Sequence, residues 1–292
     1  MKLNPLILVT GATGTVGGEV VRQLAAGGHR VRALVRSKAK AAFAPPVEMV
    51  EADLGRPDTL GRAFVGVDKA LVVVNGLNLD ALEANAFEAA KTAGVRHVVK
   101  ISGRHVDAEF LQGSVLADWH NRSESRLRAL GTRWTILRPG AFASNVPLWV
   151  NKDAGALFLP VGDGADTLTD PRDIAEVAVR VLTSEGHDGA LYELTGPAFA
   201  RYRDAVETLG AAIGRPLQFV DVPKEKAREG MLQAGLPESQ VAAILMLFDG
   251  IKDGKAYPPT STIGELLGRP ARSYGDWIAD HAAGLRERFA VT

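Results

Sequence analysis

A doubly wound α/β fold is predicted from three observations. Short apolar, β-branched runs alternate with amphipathic helical stretches through the first half of the chain. Those runs are apolar nearly throughout, as strands covered on both faces are. The first of them leads straight into a glycine-rich turn that opens a helix. Parallel strands need crossovers that travel the length of the sheet and return, and the helical stretches supply them.

The elements follow in order. Leu6, Ile7, Leu8 and Val9 form the first run, and Val16, Val20, Val21 and Leu24 then recur at helical spacing until Gly27 and Gly28 stop them. Strands are expected at 31–35, 47–50 and 70–74, with a short helix at 59–65, entered through Pro57, between the last two. Leu79, Leu82, Ala86, Phe87 and Ala90 share a helix face that ends at Gly94, ahead of a fifth strand at 98–101. A helix over 115–130, closed by Gly131, leads into a sixth strand at 134–137. Asp170 reads as an N-cap before a proline at the first helical position, starting a helix to 182, and a further strand spans 190–194. The C-terminal stretch is more helical, with a strand at 217–222 and helices at 224–233, 238–248 and 273–285. The division this suggests is a first domain over 1–140, rejoined by 171–196, and a smaller, mainly helical lobe over 141–170 and 197–292.

Composition narrows the function classes. Lys plus Arg and Asp plus Glu each total 34 among 292 residues, so no global basic field is present to hold nucleic acid or an anionic membrane surface. A small-molecule ligand is expected instead. The absence of cysteine excludes disulfides, thiolate metal sites and a cysteine nucleophile. The six histidines are scattered without ligand spacing, so no metal is expected. The opening apolar run is too short for a signal-peptide core, and no stretch approaches the roughly 18 apolar residues of a membrane helix, so a cytoplasmic protein is expected. A Gly-x-Ser-x-Gly elbow and a Gly-Lys-Ser/Thr loop are both missing, against an α/β-hydrolase and a nucleotide triphosphatase.

The glycine turn points to a dinucleotide. In TGATGTVG, Gly11 permits the tight turn off the strand, Gly14 lets backbone amides approach a pyrophosphate, and Gly17 lets the helix lie close to the strand. The backbone of Gly11, Thr13, Gly14, Thr15, Val16 and Gly17 is therefore the expected pyrophosphate seat, with the helix N-terminus supplying donors and partial positive charge. After the second strand an unphosphorylated ribose would call for a carboxylate, but the run VRALVRSKAK has none. It offers Arg36, with Lys38 and Lys40 beyond, which suits a 2′-phosphate and favours NADP over NAD. A solvated basic edge is the plain alternative. Ligands of such sheets sit outside the carboxyl ends of the strands. On that ground Asp53 and Leu54 are placed beside the adenine, and Asn75 and Gly76 along the dinucleotide.

Taken together, TGATGTVG, Arg36, Asp53-Leu54, WTILRPGAF at 134–142, DPRDIAEVA at 170–178, YELTGP at 192–197 and LGRPARSYGDW at 267–277 resemble the NmrA-like atypical short-chain dehydrogenase/reductases, in particular their NAD(P)H quinone oxidoreductase-like branch. The resemblance covers nearly the whole chain. It implies a Rossmann-type NADP-binding domain with a lobe closing a cleft over the nicotinamide. Its members act as reductases, here NADPH-dependent and acting on a quinone or similar flat electrophile, or as redox-sensing regulators that bind NADP and act on a partner without turnover. By the same resemblance Pro139, Gly140, Ala141 and Phe142 lie against the nicotinamide amide, and Phe142, Asn145 and Trp149 line the substrate side, core packing being the alternative for Trp149.

The Tyr-x-x-x-Lys pair of the wider superfamily is absent, because none of the four tyrosines has a lysine four residues later. The helix that would carry it reads DWHNRSES. His120 and Glu124 occupy i and i+4 on one face, matching the His-x-x-x-Glu of the quinone-reductase-like branch. Two readings of His120 compete: a group that protonates or positions the acceptor, or a helix histidine paired with Glu124 and packed beside the cofactor. Ser102, at the end of the fifth strand, stands where the superfamily has a substrate-orienting serine, and Ser102-Gly103 reads equally as a turn. A sugar-nucleotide epimerase on the same scaffold is disfavoured by the missing tyrosine.

Overall fold

A computed structural model of the chain describes residues 4–76 and 78–290. The first run forms strand β1 (Leu6–Val9), buried at every position. Helix α1 (Thr15–Ala26) follows and buries Val16, Gly17, Val20, Val21 and Leu24, the face set by the spacing of its apolar residues. Alternation continues through β2 (Arg30–Val35), β3 (Glu48–Glu51), α2 (Leu60–Phe64), β4 (Lys69–Val72), α3 (Leu79–Thr92), β5 (His97–Ile101), α4 (Val115–Arg128) and β6 (Arg133–Pro139). Next come α5 (Asn145–Trp149), β7 (Ala156–Leu159), β8 (Ala165–Asp166), α6 (Pro171–Thr183) and β9 (Ala190–Leu194). The chain ends with β10 (Ala200–Arg201), α7 (Tyr202–Ile213), β11 (Gln218–Asp221), α8 (Lys224–Gln233), α9 (Glu238–Lys252), α10 (Thr262–Leu267) and α11 (Tyr274–Phe289).

The seven-stranded sheet runs β3-β2-β1-β4-β5-β6-β9. Its strands are parallel, with Val9 opposite Ala33 on one side and Leu71 on the other. Strand order reverses between β1 and β4, and this switch point opens a crevice at their carboxyl ends. The glycine turn leaves β1 at that end.

The chain divides into two compact units. The first comprises 1–103, 119–139 and 171–193 and contains the sheet. One face of the sheet packs Leu8, Val72, Val98 and Ile136 against Phe64, Phe87 and Leu127 of the helices, each nearly or fully withdrawn from water. Burying a side chain of this size contributes about 1.5–3 kcal/mol, which is why nearly continuous apolar strands need helices over them.

The second unit comprises 104–118, 140–170 and 194–292. Its core gathers Val146, Leu157, Tyr202, Leu209, Phe248, Trp277 and Ile278. Helix α7 packs on α11, and β7 pairs in parallel with β11. The unit is mainly helical, yet it is nearly as large as the first, where the sequence suggested a smaller lobe. Segment 104–118 belongs to it, although the sequence reading placed that segment with the nucleotide domain. The cause is local: Arg104 donates to the carbonyls of Tyr257, at 2.8 Å, and Pro258. Phe110 lies so close to Gly250 that a Cβ there would stand 2.5 Å from its ring.

Candidate active site

The glycine turn is built for a ligand that needs bare backbone. Gly11 has φ +57°, in the left-handed region, and a Cβ on it would meet the Val73 carbonyl oxygen at 2.7 Å. A Cβ on Gly17 would fall 2.3 Å from the Gly11 carbonyl oxygen, so only glycine lets the first turn of α1 close against the loop. Gly14 is the N-cap of α1 and provides no side-chain cap. The first amides of the helix, on Thr15, Val16 and Gly17, are thereby left for an outside acceptor, together with the helix's partial positive charge. Thr13, Gly14 and Thr15 are exposed; the Val16 side chain is buried, so Val16 can offer only its amide. An anionic pyrophosphate fits this cradle.

Beside the turn, Arg36 directly follows β2 and is exposed, as are Lys38 and Lys40. One feature of this edge is invisible in the local sequence. Glu51, at the end of the neighbouring β3, accepts the Lys38 amide at 3.1 Å, so a carboxylate from another strand reaches the basic edge. Asp53 spends one carboxylate oxygen on the Gly55 amide, at 2.8 Å, in a turn of its own. Leu54 is half-buried behind it; Asn75 and Gly76 are exposed beyond β4, with Gly76 at φ +111°.

At the end of β5 the structure joins residues far apart in sequence. The Ser102 hydroxyl donates to Glu124 Oε1 at 2.7 Å and lies 3.3 Å from His120 Nδ1. Arg138, from β6, grips Glu124 with Nε on Oε1 at 2.9 Å and Nη2 on Oε2 at 2.8 Å, and Arg128 adds a contact at 2.9 Å. No hydrogen bond joins His120 to Glu124, the pairing in one of the two readings of this histidine. The two do share a helix face, but each meets Ser102 instead, because Arg138 offers the carboxylate a charge-assisted, two-pronged partner. Burial alone would raise the Glu124 carboxyl; the hydrogen bonds from Arg138 and Ser102 and the two guanidinium charges outweigh it and hold the group below its ordinary value.

Behind this cluster lies a second one. Lys100, fully buried on β5, donates to both carboxylate oxygens of Glu83 at 2.8 and 2.7 Å, and Ser123 donates to the same carboxylate. Burial pushes the Glu83 carboxyl up against the pull of Lys100. For His120, burial first and the Lys100 ammonium second press the imidazole down to about 3. The ring is therefore neutral near pH 7 and holds no imidazolium proton for an acceptor, unlike a free imidazole, which titrates near neutrality. Of these partners, Arg138 could have been singled out from sequence: an arginine inside the apolar run ILRP needs a buried anion.

In the second unit, Gly140 is held so tightly that a Cβ would meet the Thr167 carbonyl oxygen at 2.9 Å. Ala141 and Phe142 are bound to Thr169, whose amide donates to Ala141 O at 2.7 Å and whose carbonyl accepts the Ala143 amide at 2.9 Å. Asn145 begins α5, and Trp149 ends it 41% exposed, with its ring 6.3 Å from that of Tyr202. Trp149 is accordingly no core residue. Pro139, the last residue of β6, is buried. An open groove of about 520 Å³ lies on α2 and α3, lined by residues such as Leu60, Val65 and Ala89, and includes none of these site positions. Among the described residues no cluster of His, Asp and Glu could hold a metal, and no helix is long and apolar enough to cross a membrane.

A parallel sheet with a bare pyrophosphate cradle at its switch point defines a Rossmann-type nucleotide-binding protein. The NAD(P)H-binding family matches residues 11–185. The NAD(P)H azoreductase of Xenophilus azovorans is 36% identical over 284 residues, covering 95% of this chain and 98% of the relative. The NADPH-dependent quinone oxidoreductase QOR2 of Escherichia coli, solved with NADPH, superposes with a TM-score of 0.79 at 27% identity, over 96% of this chain and 99% of that one. The triphenylmethane reductase of Citrobacter sp., solved with NADP(H), gives 0.77 at 27% identity, over 94% and 99%. The chain belongs to the NAD(P)H-binding family, among its NmrA-like atypical short-chain dehydrogenase/reductases, and is an NAD(P)H-dependent oxidoreductase.

Proposed function

We propose that the chain is an NADPH-dependent reductase whose acceptor is a quinone or a similarly flat electrophile. The observation that carries the reading is the uncapped first turn of α1 beside the exposed Arg36. The turn takes the pyrophosphate, and Arg36, supported by Lys38 and Lys40, takes the 2′-phosphate that separates NADPH from NADH. Glu51 accepts the Lys38 amide, and among the described residues no ion pair ties it to Arg36. Asp53, Leu54, Asn75 and Gly76 follow the adenine and the rest of the dinucleotide. Pro139, Gly140, Ala141 and Phe142 are assigned to the nicotinamide amide, and Phe142, Asn145 and Trp149 to a flat substrate.

When bound, the reduced nicotinamide supplies a hydride. The protein's share is orientation, since the described geometry gives neither Ser102 nor His120 a spare proton. A doubly reduced quinone is a weak base, and solvent can complete its protonation. The relatives named for azo and triphenylmethane substrates support a class of extended aromatic electrophiles wider than quinones.

The test follows the near-ultraviolet absorbance of NADPH against a panel of quinones and azo dyes. Acceptor-dependent loss, faster with NADPH than with NADH, is expected. Tight NADPH binding with no oxidation above background would replace the reductase by a redox sensor.

A further inference from the structure

The Ser102 cluster has a direction, because it holds few protons. Glu124 is buried, ionised and gripped by Arg138 and Arg128, so it can only accept. Ser102 has one hydroxyl proton, and it is committed to Glu124 Oε1 at 2.7 Å. What the Ser102 oxygen presents to His120 Nδ1, 3.3 Å away, is therefore a lone pair. Two lone pairs facing each other would repel, so Nδ1 carries the ring's proton and donates it. A neutral imidazole has a single N–H, and Nε2 is left bare. The charges around the ring agree: Lys100 from β5 and Arg138 from β6 disfavour a second proton, and only Glu124, on the ring's own helix, opposes them. No described residue donates to or accepts from Nε2.

We propose that Glu124, acting through Ser102, fixes His120 as a hydrogen-bond acceptor at Nε2, so that this site recognises a hydroxyl or N–H on an aromatic ring rather than a carbonyl oxygen. Glu124 and Ser102 are positioning residues; His120 is the group that meets the ligand. A quinone carbonyl has only lone pairs to offer Nε2, whereas the hydroxyl of the reduced ring, or of a hydroxylated dye, has the matching proton. The ring's tautomer is independent of the reductase reading, while its consequence for acceptor choice rests on that reading.

The tautomer is read directly by long-range proton–nitrogen NMR on protein carrying ¹⁵N-histidine, in the wild-type chain. The expected spectrum shows His120 neutral at pH 6, with Nδ1 protonated and Nε2 bare. A protonated Nε2, in either the neutral ring or the imidazolium, overturns the proposal. Glu124→Gln turns the acceptor toward Ser102 into an amide that can donate, frees the serine proton for Nδ1, and should invert the ring to the Nε2–H tautomer. Should that variant not fold, Ser102→Ala serves instead: with the serine oxygen gone, Nδ1 loses its acceptor and the two tautomers should mix. An unchanged tautomer in a folded variant contradicts the assignment.

The ligand side uses 1-naphthol and 1-methoxynaphthalene with the NADP-loaded protein. One hydrogen bond predicts about tenfold tighter binding of the naphthol, a preference that His120→Phe removes. Equal binding of the two compounds, or binding of neither, refutes the recognition role. If the tautomer and the naphthol preference are both found but no acceptor is ever reduced, the wiring stands and the reductase reading falls.

Discussion

Arg138 holds Glu124 by two parallel hydrogen bonds, 2.9 Å from Nε to Oε1 and 2.8 Å from Nη2 to Oε2, with both side chains removed from water. A buried ion pair costs desolvation on each side, and geometry of this quality offsets it. Removing Arg138 strips the buried carboxylate of its two-pronged partner and leaves it only the half-exposed Arg128 and the Ser102 hydroxyl. Arg138→Leu is therefore expected to lower unfolding free energy by about 3–5 kcal/mol, read from urea melts. The double variant Arg138→Leu/Glu124→Leu should recover most of that loss; a double variant as weak as the single one would show that the pair is not the source.

Glycine positions in this chain separate into two kinds. Gly17→Ala puts a Cβ 2.3 Å from the Gly11 carbonyl oxygen and should break the pyrophosphate cradle. NADPH affinity, followed by quenching of protein fluorescence, is expected to fall by about 100-fold or more, the scale of several charge-assisted hydrogen bonds lost together. Gly230, in α8, has nothing within 4 Å of an added Cβ. Gly230→Ala should leave NADPH affinity alone and raise stability by about 0.5–1 kcal/mol through the unfolded state and helix propensity.

Arg36→Ala tests the cofactor choice. The guanidinium meets the 2′-phosphate and has no counterpart on NADH, so NADPH affinity should drop about tenfold or more while NADH affinity holds. Equal losses for the two nucleotides would remove Arg36 from that role.

Acid stability should follow His97 and His120. Burial first, then the charges of Lys69 and Arg133, depress His97 from 6.5 to about 4, and His120 lies at about 3. Unfolded histidine takes its proton near 6.5, so between there and about 4 the unfolded state binds more protons and the folded state loses ground as pH falls. The stabilisation is complete above pH 6.5, and each ring removes about 1.4 kcal/mol per pH unit below it. Glu83, pushed up by burial, works in the opposite direction. Melts in urea from pH 7 to pH 4 measure the slope, and His97→Gln should reduce it by about one proton's worth. An unchanged slope would deny the histidine its part.

The sheet and its helices were legible because each strand and helix carries its own period. Leu8, Val72, Val98 and Ile136 lie in runs that water cannot reach, and the faces of α1 and α3 repeat every three to four residues. The glycine turn was legible for a related reason: a positive φ at Gly11 and a carbonyl pressed on Gly17 leave no other residue possible. Helix α7 lies outside the expected elements, although Tyr202, Ala205, Val206 and Leu209 have helical spacing, and β7 is too short to be told from a loop without β11 beside it.

Sequence could not reveal the polar clusters. Lys100 meets Glu83 and Ser123 only after β5, α3 and α4 pack, and Glu51 reaches Lys38 only across a strand pair. The spacing of His120 and Glu124 places them on a common helix face but does not choose their partners, because local spacing carries no information about an arginine arriving from β6.

Isothermal calorimetry with NADPH on the purified wild-type chain puts the nucleotide seat to its most direct trial. A saturable exothermic signal at one nucleotide per chain, absent from Gly17→Ala and weaker with NADH, is the expected result. A flat trace with both NADPH and NADH would contradict the account at its root, leaving the bare turn of α1 without a ligand and the reductase without its reductant.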